Sequence, residues 1–380
     1  MTVTLPSKES FTGNVTQGQA KEAYDQLVDF IGQSLPADGT PVQASAIANT
    51  PNGNVTSTTV QDAINEVDSR IGANPSYRNL LINGNFLFRQ WSTWGGITSY
   101  PINSGSAYGY FDRWVLAGVG STLNTTHQTF AYGQPEIPDD PFNYGRFTVT
   151  SVNGVNNYAS IAQRVEFAEQ YSSSTLTYSF WAKADAPKDI AIEFMQIFGT
   201  GGSSSVYGIG STKFHLTTTW TKYTSTVNLP SVAGKTIGIG SAVGMLVWFD
   251  AGSNFSSRTA SLGQQSGIFD MTQIQLERGA VATPFENLPV PLQYQLCQRY
   301  CETGISYGIS YGISTTEAQR VITPYKMTKR IVPSVGIAQI GGAGSSPGLT
   351  LNDSGMFVVG YTSVGSSVEM IFKWLSNAEL

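Results

Sequence analysis

The side chains that most often do chemistry are scarce in this 380-residue chain, which has two cysteines and two histidines. Cys297 and Cys301 stand four residues apart in PLQYQLCQRYCETG, a stretch that reads as a short helix. His127 and His215 are distant from them and from each other. A structural zinc site takes four ligands, usually Cys and His at paired spacing. Here the cysteines read instead as buried free thiols of a chain folded in a reducing cytoplasm, and the histidines as residues on strand faces. No cofactor and no metal site is assigned; the acidic oxygens of Asp139 and Asp140 suit a weak calcium site at most.

Nucleotide chemistry finds no support either. Gly234-Lys235-Thr236 looks like the end of a phosphate loop, but Leu229 stands where its first glycine belongs. The following run, Thr236 to Ile239, reads as a strand, so no helix N-terminus would face a phosphate. Among 26 acidic residues, Glu193 is the notable one because it interrupts an apolar run. Burial would raise its pKa, whereas an outward position on a strand would leave it ordinary. The carboxylates name no enzyme.

Aromatic residues are more informative. Trp91, Trp94, Tyr100, Tyr108, Tyr110 and Phe111 fall between Arg89 and Trp114, with glycines at 95, 96, 105 and 109. Flat amphipathic rings suit the apolar C–H faces of sugars. Trp91, Trp94, Tyr100 and Tyr108 are therefore the glycan-binding candidates, with burial in a core as the alternative.

The elements that must carry these residues are mainly strands. Charged residues make up 12% of the chain, about half the ~25% of ordinary soluble proteins, and glycine (40 residues) and aromatics (12%) are abundant. Such composition favours short strands and tight turns. A net charge of −5 gives no general footprint for nucleic acid. The longest apolar run, Met245 to Phe249, is far too short to insert in a membrane, and the N-terminus does not read as a secretory signal.

Before residue 79 the pattern is helical. Thr16 with Gln19 forms a capping box ahead of Ala20, Tyr24, Leu27 and Ile31, and Thr58 with Gln61 forms another ahead of Val60, Ile64, Val67 and Ile71. The 4-3-4 spacing is that of heptad seam positions. The β-branched set Val60, Ile64, Val67 and Ile71 predicts a seam of more than two strands, with a single amphipathic helix as the alternative. Leu35 to Thr56 reads as a linker. From Asn79 to Pro289 short strand patterns follow one another, as in TLTYSFWAK (175–183), IAIEFMQIF (190–198), Thr219 to Leu229, Val243 to Phe249 and Ile268 to Leu276. They predict an antiparallel sandwich. Further strands are predicted around Val321, Val335 to Ile340, Met356 to Tyr361 and Val368 to Trp374. The tetrapeptide repeat Gly304-Ile-Ser-Tyr reads as a strand or loop.

Several stretches together resemble bacteriophage tail fibre proteins. FTGNVTQGQAKEAYDQLVDFIG is similar to the N-terminal segment by which such fibres join the tail, and TTVQDAINEVDSRIG to their connector helix. NLLINGNF, YGYFDRW, LTYSFWAKA and QIQLERGAVATPFE resemble, in order, strand motifs of their jelly-roll domain, which is like a carbohydrate-binding module. LCQRY and FKWLSNAEL resemble their C-terminal stretches. Cys301 departs from the pattern at a place that is often aromatic. The resemblance implies a mainly β protein: a tail-attachment segment (1–34), a linker and short trimeric coiled coil (35–78), a jelly-roll sandwich (79–290), and a short helix with a small β tip domain (291–380). It also implies that Asp112, Arg113, Trp114 and Glu277 are structural members of the sandwich.

The implied function is a virion tail fibre, assembled in the host cytoplasm as a homotrimer. It would contact tail or baseplate proteins through its N-terminus and bind a host surface polysaccharide or outer-membrane receptor without catalysis. A polysaccharide-degrading tail spike and a purely structural tail component are the alternatives. The seam predicts that light scattering at micromolar concentration gives a mass three times 40.8 kDa. A mass near 40.8 kDa would refute it.

Overall fold

Ten strands between Ser99 and Arg278 place the alternating apolar residues of the sequence in two facing layers. They are β1 (Ser99–Tyr108), β2 (Val115–Thr129), β3 (Asn143–Thr150), β4 (Tyr158–Glu166), β5 (Thr175–Ala184), β6 (Lys188–Ile197), β7 (Val206–Leu216), β8 (Thr221–Asn228), β9 (Ala242–Ala251) and β10 (Gly267–Arg278). The computed structural model describes residues 48, 50–51, 56–65, 77–311, 318–342, 348–361 and 367–379. Residues 1–72 and 73–380 fall into two compact units.

In the first unit, residues 60–65 are helical. The helix is capped one residue later than the sequence predicts: Thr59 Oγ1 accepts from Asp62 N (3.1 Å) and donates to Asp62 Oδ2 (2.8 Å). Gln61 instead donates to Asn65. The shorter Asp side chain closes the reciprocal cap on Thr59. Val60 is partly buried and Ile64 is exposed; Val67, Ile71 and the whole 1–34 segment lie outside the described residues.

In the second unit all pairings of the large sheet are antiparallel, in the order β7-β6-β9-β4-β2-β3-β10-β5-β8, with β1 along the other side of β2. Strand β2 divides the layers. Val115 to Val119 pair with β4, Thr122 to Thr129 pair with β3, and Gly120 between them has φ 68°. That left-handed conformation costs glycine little and lets one strand leave the first layer and enter the second. Side chains from both layers then meet. Phe249 of β9 stacks on Phe147 of β3 with ring centroids 5.1 Å apart, and Phe194 of β6 meets Tyr178 of β5 at 5.2 Å. Leu176, Tyr178 and Phe180, predicted to share one face of β5, are all fully buried in this core. Each such side chain contributes about 1.5–3 kcal/mol by burial.

The NLLINGNF motif closes the sandwich. Strand β10 bulges at Gln273 (φ 51°), and Ile274 N donates to Gly84 O (2.9 Å). A Cβ on Gly84 would lie 2.0 Å from Ile274 O, so only glycine permits the approach. Trp114 Nε1 donates to Asn83 O (3.0 Å).

Beyond the sandwich lie α1 (Gln90–Gly95, between NLLINGNF and β1), α2 (Val290–Gln298) and six strands. These are β11 (Cys301–Tyr311), β12 (Ala318–Pro324), β13 (Ser334–Gly342), β14 (Gly348–Leu351), β15 (Gly355–Tyr361) and β16 (Ser367–Asn377), in two three-stranded sheets, β11-β16-β13 and β12-β15-β14. Two local readings need correction. Helix α2 ends at Gln298, so Cys297 is helical but Cys301 begins β11. Thr236 to Ile239 is not a strand; Ile239 makes only an isolated bridge to Thr200.

A buried polar layer joins these strands to the sandwich. Asp112 accepts from Gln90 N (2.7 Å) and Nε2 (2.9 Å), and Gln90 Nε2 also reaches Cys301 O (2.8 Å). Arg113 pairs with Glu379, and Lys329 with Glu302, all four with almost no exposure. Burial pushes the Asp112 carboxyl up to about 7, with its bonds to Gln90 acting in the opposite direction. The folded state therefore binds a proton at Asp112 that the unfolded chain, with its carboxyl near 4, has released. This contribution is complete below pH 4 and is lost as pH rises through 7. The melting temperature is expected to fall between pH 5.5 and 8, and Asp112→Asn should flatten that slope. An unchanged slope in the variant would exclude Asp112 as its source.

Candidate functional site

The face of the first layer that points away from the core carries a cleft of about 420 Å³. Alternation along each strand builds it. On β6, Ile190, Ile192 and Phe194 enter the core, while Ala191, Glu193 and Met195 point the other way. Val115 and Ala117 of β2, Ser160 and Ala162 of β4 and Leu246 of β9 supply a floor of small and apolar side chains. Walls come from Tyr158, Trp248, Phe255 and Tyr207.

The walls are fixed by mutual contact. Trp248 lies 5.4 Å from Tyr158 and 5.2 Å from Phe255, and Tyr158 and Phe255 meet edge to face at 5.2 Å. The Arg258 guanidinium sits 4.7 Å over the Tyr207 ring and 5.0 Å over Trp248. The loop that presents Phe255 and Arg258 is held by Arg258 N and Thr259 Oγ1, both donating to Phe255 O at 2.9 Å. Tyr207 keeps 52% of its surface exposed and so offers a free ring face at the rim.

Glu193 organises this wall from below. It points away from the core, as an outward strand position does, yet it is fully buried. It accepts from Trp248 Nε1 (3.1 Å) and Gly208 N (2.7 Å), and from Arg258 Nε at 3.0 and 3.2 Å to its two oxygens. Arg258 Nη2 donates to it as well. One carboxylate thus orients the indole and the guanidinium together. Sequence reasoning singled out Glu193 but did not connect it to Trp248, Arg258 or Tyr207. Its position in an apolar run was the signal.

The four predicted glycan candidates are not brought together. Trp91 and Trp94 stand partly buried on α1, where Lys373 Nζ donates to Trp94 O (2.9 Å) and lies 5.4 Å over its ring. Tyr100 of β1 packs against the sandwich core, with its ring filling the space that a Cβ on Gly109 would need. Only Tyr108 joins the apolar cluster beneath the cleft.

The remaining reactive groups are occupied or inert. Cys297 and Cys301 are buried free thiols whose pKa values burial pushes well up. His127 Nε2 shares a hydrogen bond with Asn143 Oδ1 (2.8 Å), and burial lowers its pKa. His215 is exposed and pairs with Asp189 at 2.9 Å. The tetrapeptide repeat spells Gly-x-Ser-x-Gly at residues 304–308, the spacing of a nucleophile elbow. However, Ser306 sits in the middle of β11, not on a strand-to-helix turn. Its hydroxyl bonds Thr323 Oγ1 (2.7 Å) and Trp374 Nε1 (3.0 Å). Asp140 Oδ2 accepts from Gly133 N (3.0 Å). Among the described residues no three His, Cys, Asp or Glu side chains converge to hold a metal.

No protein-family model matches the chain, and no curated protein matches it. Solved structures with a similar strand arrangement include a CBM4 structure, 16% identical, covering 52% of this chain and 98% of its own, with a TM-score of 0.28. A family 11 carbohydrate-binding module from Clostridium thermocellum is 12% identical over 54% of this chain and 97% of its own (TM-score 0.28). The enzymatically active domain of bacteriophage CBA120 tailspike protein 4 is 12% identical. That match covers 53% of this chain and 22% of the tailspike chain (TM-score 0.30).

Arg258→Met would leave Glu193 buried without its counter-charge, a change that costs about 3 kcal/mol or more. Urea denaturation should show that loss, and Arg258→Met combined with Glu193→Gln should recover most of it. Equal losses in the single and double variants would mean that the pair does not hold the wall.

Proposed function

We propose that the outer-face cleft binds a glycan non-covalently, and that the chain is a bacteriophage tail fibre which uses this cleft to attach the virion to the host surface. The carrying observation is the cleft itself: an apolar floor, four clustered aromatic rings, and one of them, Tyr207, with an open face at the rim. Sugar rings stack on such faces, and the rigid aromatic wall loses little entropy on binding. The tail-fibre part of the reading rests on the order of the motifs from FTGNVTQGQ to FKWLSNAEL. Binding is favoured over hydrolysis because Glu193, the buried acid under the wall, is taken up by Arg258, whereas glycosidases use two carboxyl groups across the scissile bond. A homotrimer would present three clefts, and multivalency lets individually weak contacts hold a particle.

The test is adsorption of the full chain, as a fluorescent fusion, to intact host bacteria. Tyr207→Ala should weaken binding roughly 5- to 30-fold, about 1–2 kcal/mol. Its melting temperature should be unchanged, since half of this ring is already in water. Trp94→Ala serves as the comparison on α1. Loss of adsorption with Trp94→Ala and none with Tyr207→Ala would move the site away from the cleft. New reducing ends in host polysaccharide incubated with the protein would establish the depolymerase instead.

A further inference from the structure

One end of the cleft carries an unbalanced positive charge. Arg164 of β4 lines it, and its Nε is buried with no hydrogen-bond partner among the described residues. A guanidinium nitrogen without a protein partner is free to bond an acceptor that enters the cleft. The two arginines of the lining differ in this respect. Arg258 is consumed by Glu193, but no described carboxylate pairs with Arg164. Among the described residues, the charges that act on the neighbouring Tyr108 include the guanidiniums of Arg113, Arg164 and Arg330 and the Glu379 carboxylate. Glu379 is already held by Arg113, and Arg330 donates to the backbone carbonyls of Ala378 and Glu379. The Arg164 backbone is fixed as well, because its carbonyl accepts from Arg113 Nη2 (2.7 Å). The fork therefore projects from a rigid strand into a cleft with a surplus of cation.

We infer that the cleft selects an anionic glycan, with a carboxylate- or phosphate-bearing sugar anchored on Arg164 while a neighbouring sugar ring stacks on the aromatic wall. This rests on the glycan-binding reading of the same cleft and specifies its ligand class. Guanidinium matches both anions bidentately, and charge-assisted bonds are about twice as strong as neutral ones. Ser160 on the same strand stands in the floor, where its hydroxyl can meet a sugar hydroxyl.

The experiment is a glycan array of bacterial surface polysaccharides with uronate-bearing, phosphate-bearing and neutral members, probed with the full chain. Wild type should bind acidic members, with affinity that falls as salt rises. Arg164→Gln should lose roughly tenfold or more on those members and most of the salt dependence, while Arg164→Lys keeps part of both. The uronate and phosphate members separate the two anions. Binding confined to neutral members, or acidic binding that Arg164→Gln leaves intact in a normally melting protein, overturns the inference and spares the cleft. If Arg164→Gln does not fold, the wild-type preference and Arg164→Lys decide. No binding to any member, together with unchanged cell adsorption by Tyr207→Ala, overturns the cleft reading and this inference with it.

Discussion

The buried guanidinium of Arg113 is the contact on which the second unit depends. It pairs with Glu379 two residues after β16, donates to Arg164 O in β4, and lies 3.5 Å over the ring of Tyr300 two residues after α2. One planar group thus joins the sandwich, the helix that follows it and the last residues of the chain. Desolvating an arginine costs several kcal/mol, which the Glu379 carboxylate, the Arg164 carbonyl and the Tyr300 ring together offset, although Arg113 Nε has no hydrogen-bond partner among the described residues. Glu379 shows the balance: burial raises its pKa even though Arg113 acts against it. Removing either partner would leave a buried charge in an apolar surround. The cost would fall on the packing of the C-terminal strands before it reached the sandwich core.

Low charge content takes on meaning in this light. Only 12% of the residues are charged, and several of them are spent indoors. Asp112, Arg113, Glu193, Glu277, Glu302 and Lys329 are all essentially inaccessible. Each one locks an element whose apolar contacts alone would not fix its register. Glu277 receives Thr283 N (3.0 Å) and holds the turn after β10, as Asp112 holds α1. Hydrophobic burial assembles the two layers, and paired charges decide how the additional pieces sit on them.

The sandwich was legible wherever a strand keeps the same neighbours along its length and carries apolar residues at every second position. TLTYSFWAK and IAIEFMQIF read as strands, and their inward residues are those of the core. Of strand β2 only the half around His127 was legible as a strand, because β2 changes layers at Gly120 and its burial pattern changes midway. The cleft was less legible still. Its floor draws on β2, β4, β6 and β9, with a wall from the loop after β9, and no local window contains two of these strands in contact. Trp248 looks like core in MLVWF because it is buried, though against the opposite face of the sheet. The dense aromatic run from Trp91 to Phe111 does not form one cluster, because nearness in sequence says nothing about shared faces: Trp91 and Trp94 stand on α1, Tyr100 packs on the sandwich core and Tyr108 joins the outer cluster.

The same geometry explains why a cleft, and not a flat face, forms on the outside of the first layer. Gly244 on β9 makes room for the lining side chain of Met195, whose methyl would lie 2.4 Å from a Cβ there. Ala162 and Ser160 on the adjacent strand keep the floor low, while Tyr158 and Trp248 stand toward one end of β4 and Arg164 toward the other. Small side chains in the centre and large ones at the margins make a trough along β4. A chain of sugar rings laid in that trough would meet apolar floor, aromatic wall and guanidinium in turn. Recognition would then depend on the length of the occupant as well as on its charge, because a single sugar cannot reach both ends.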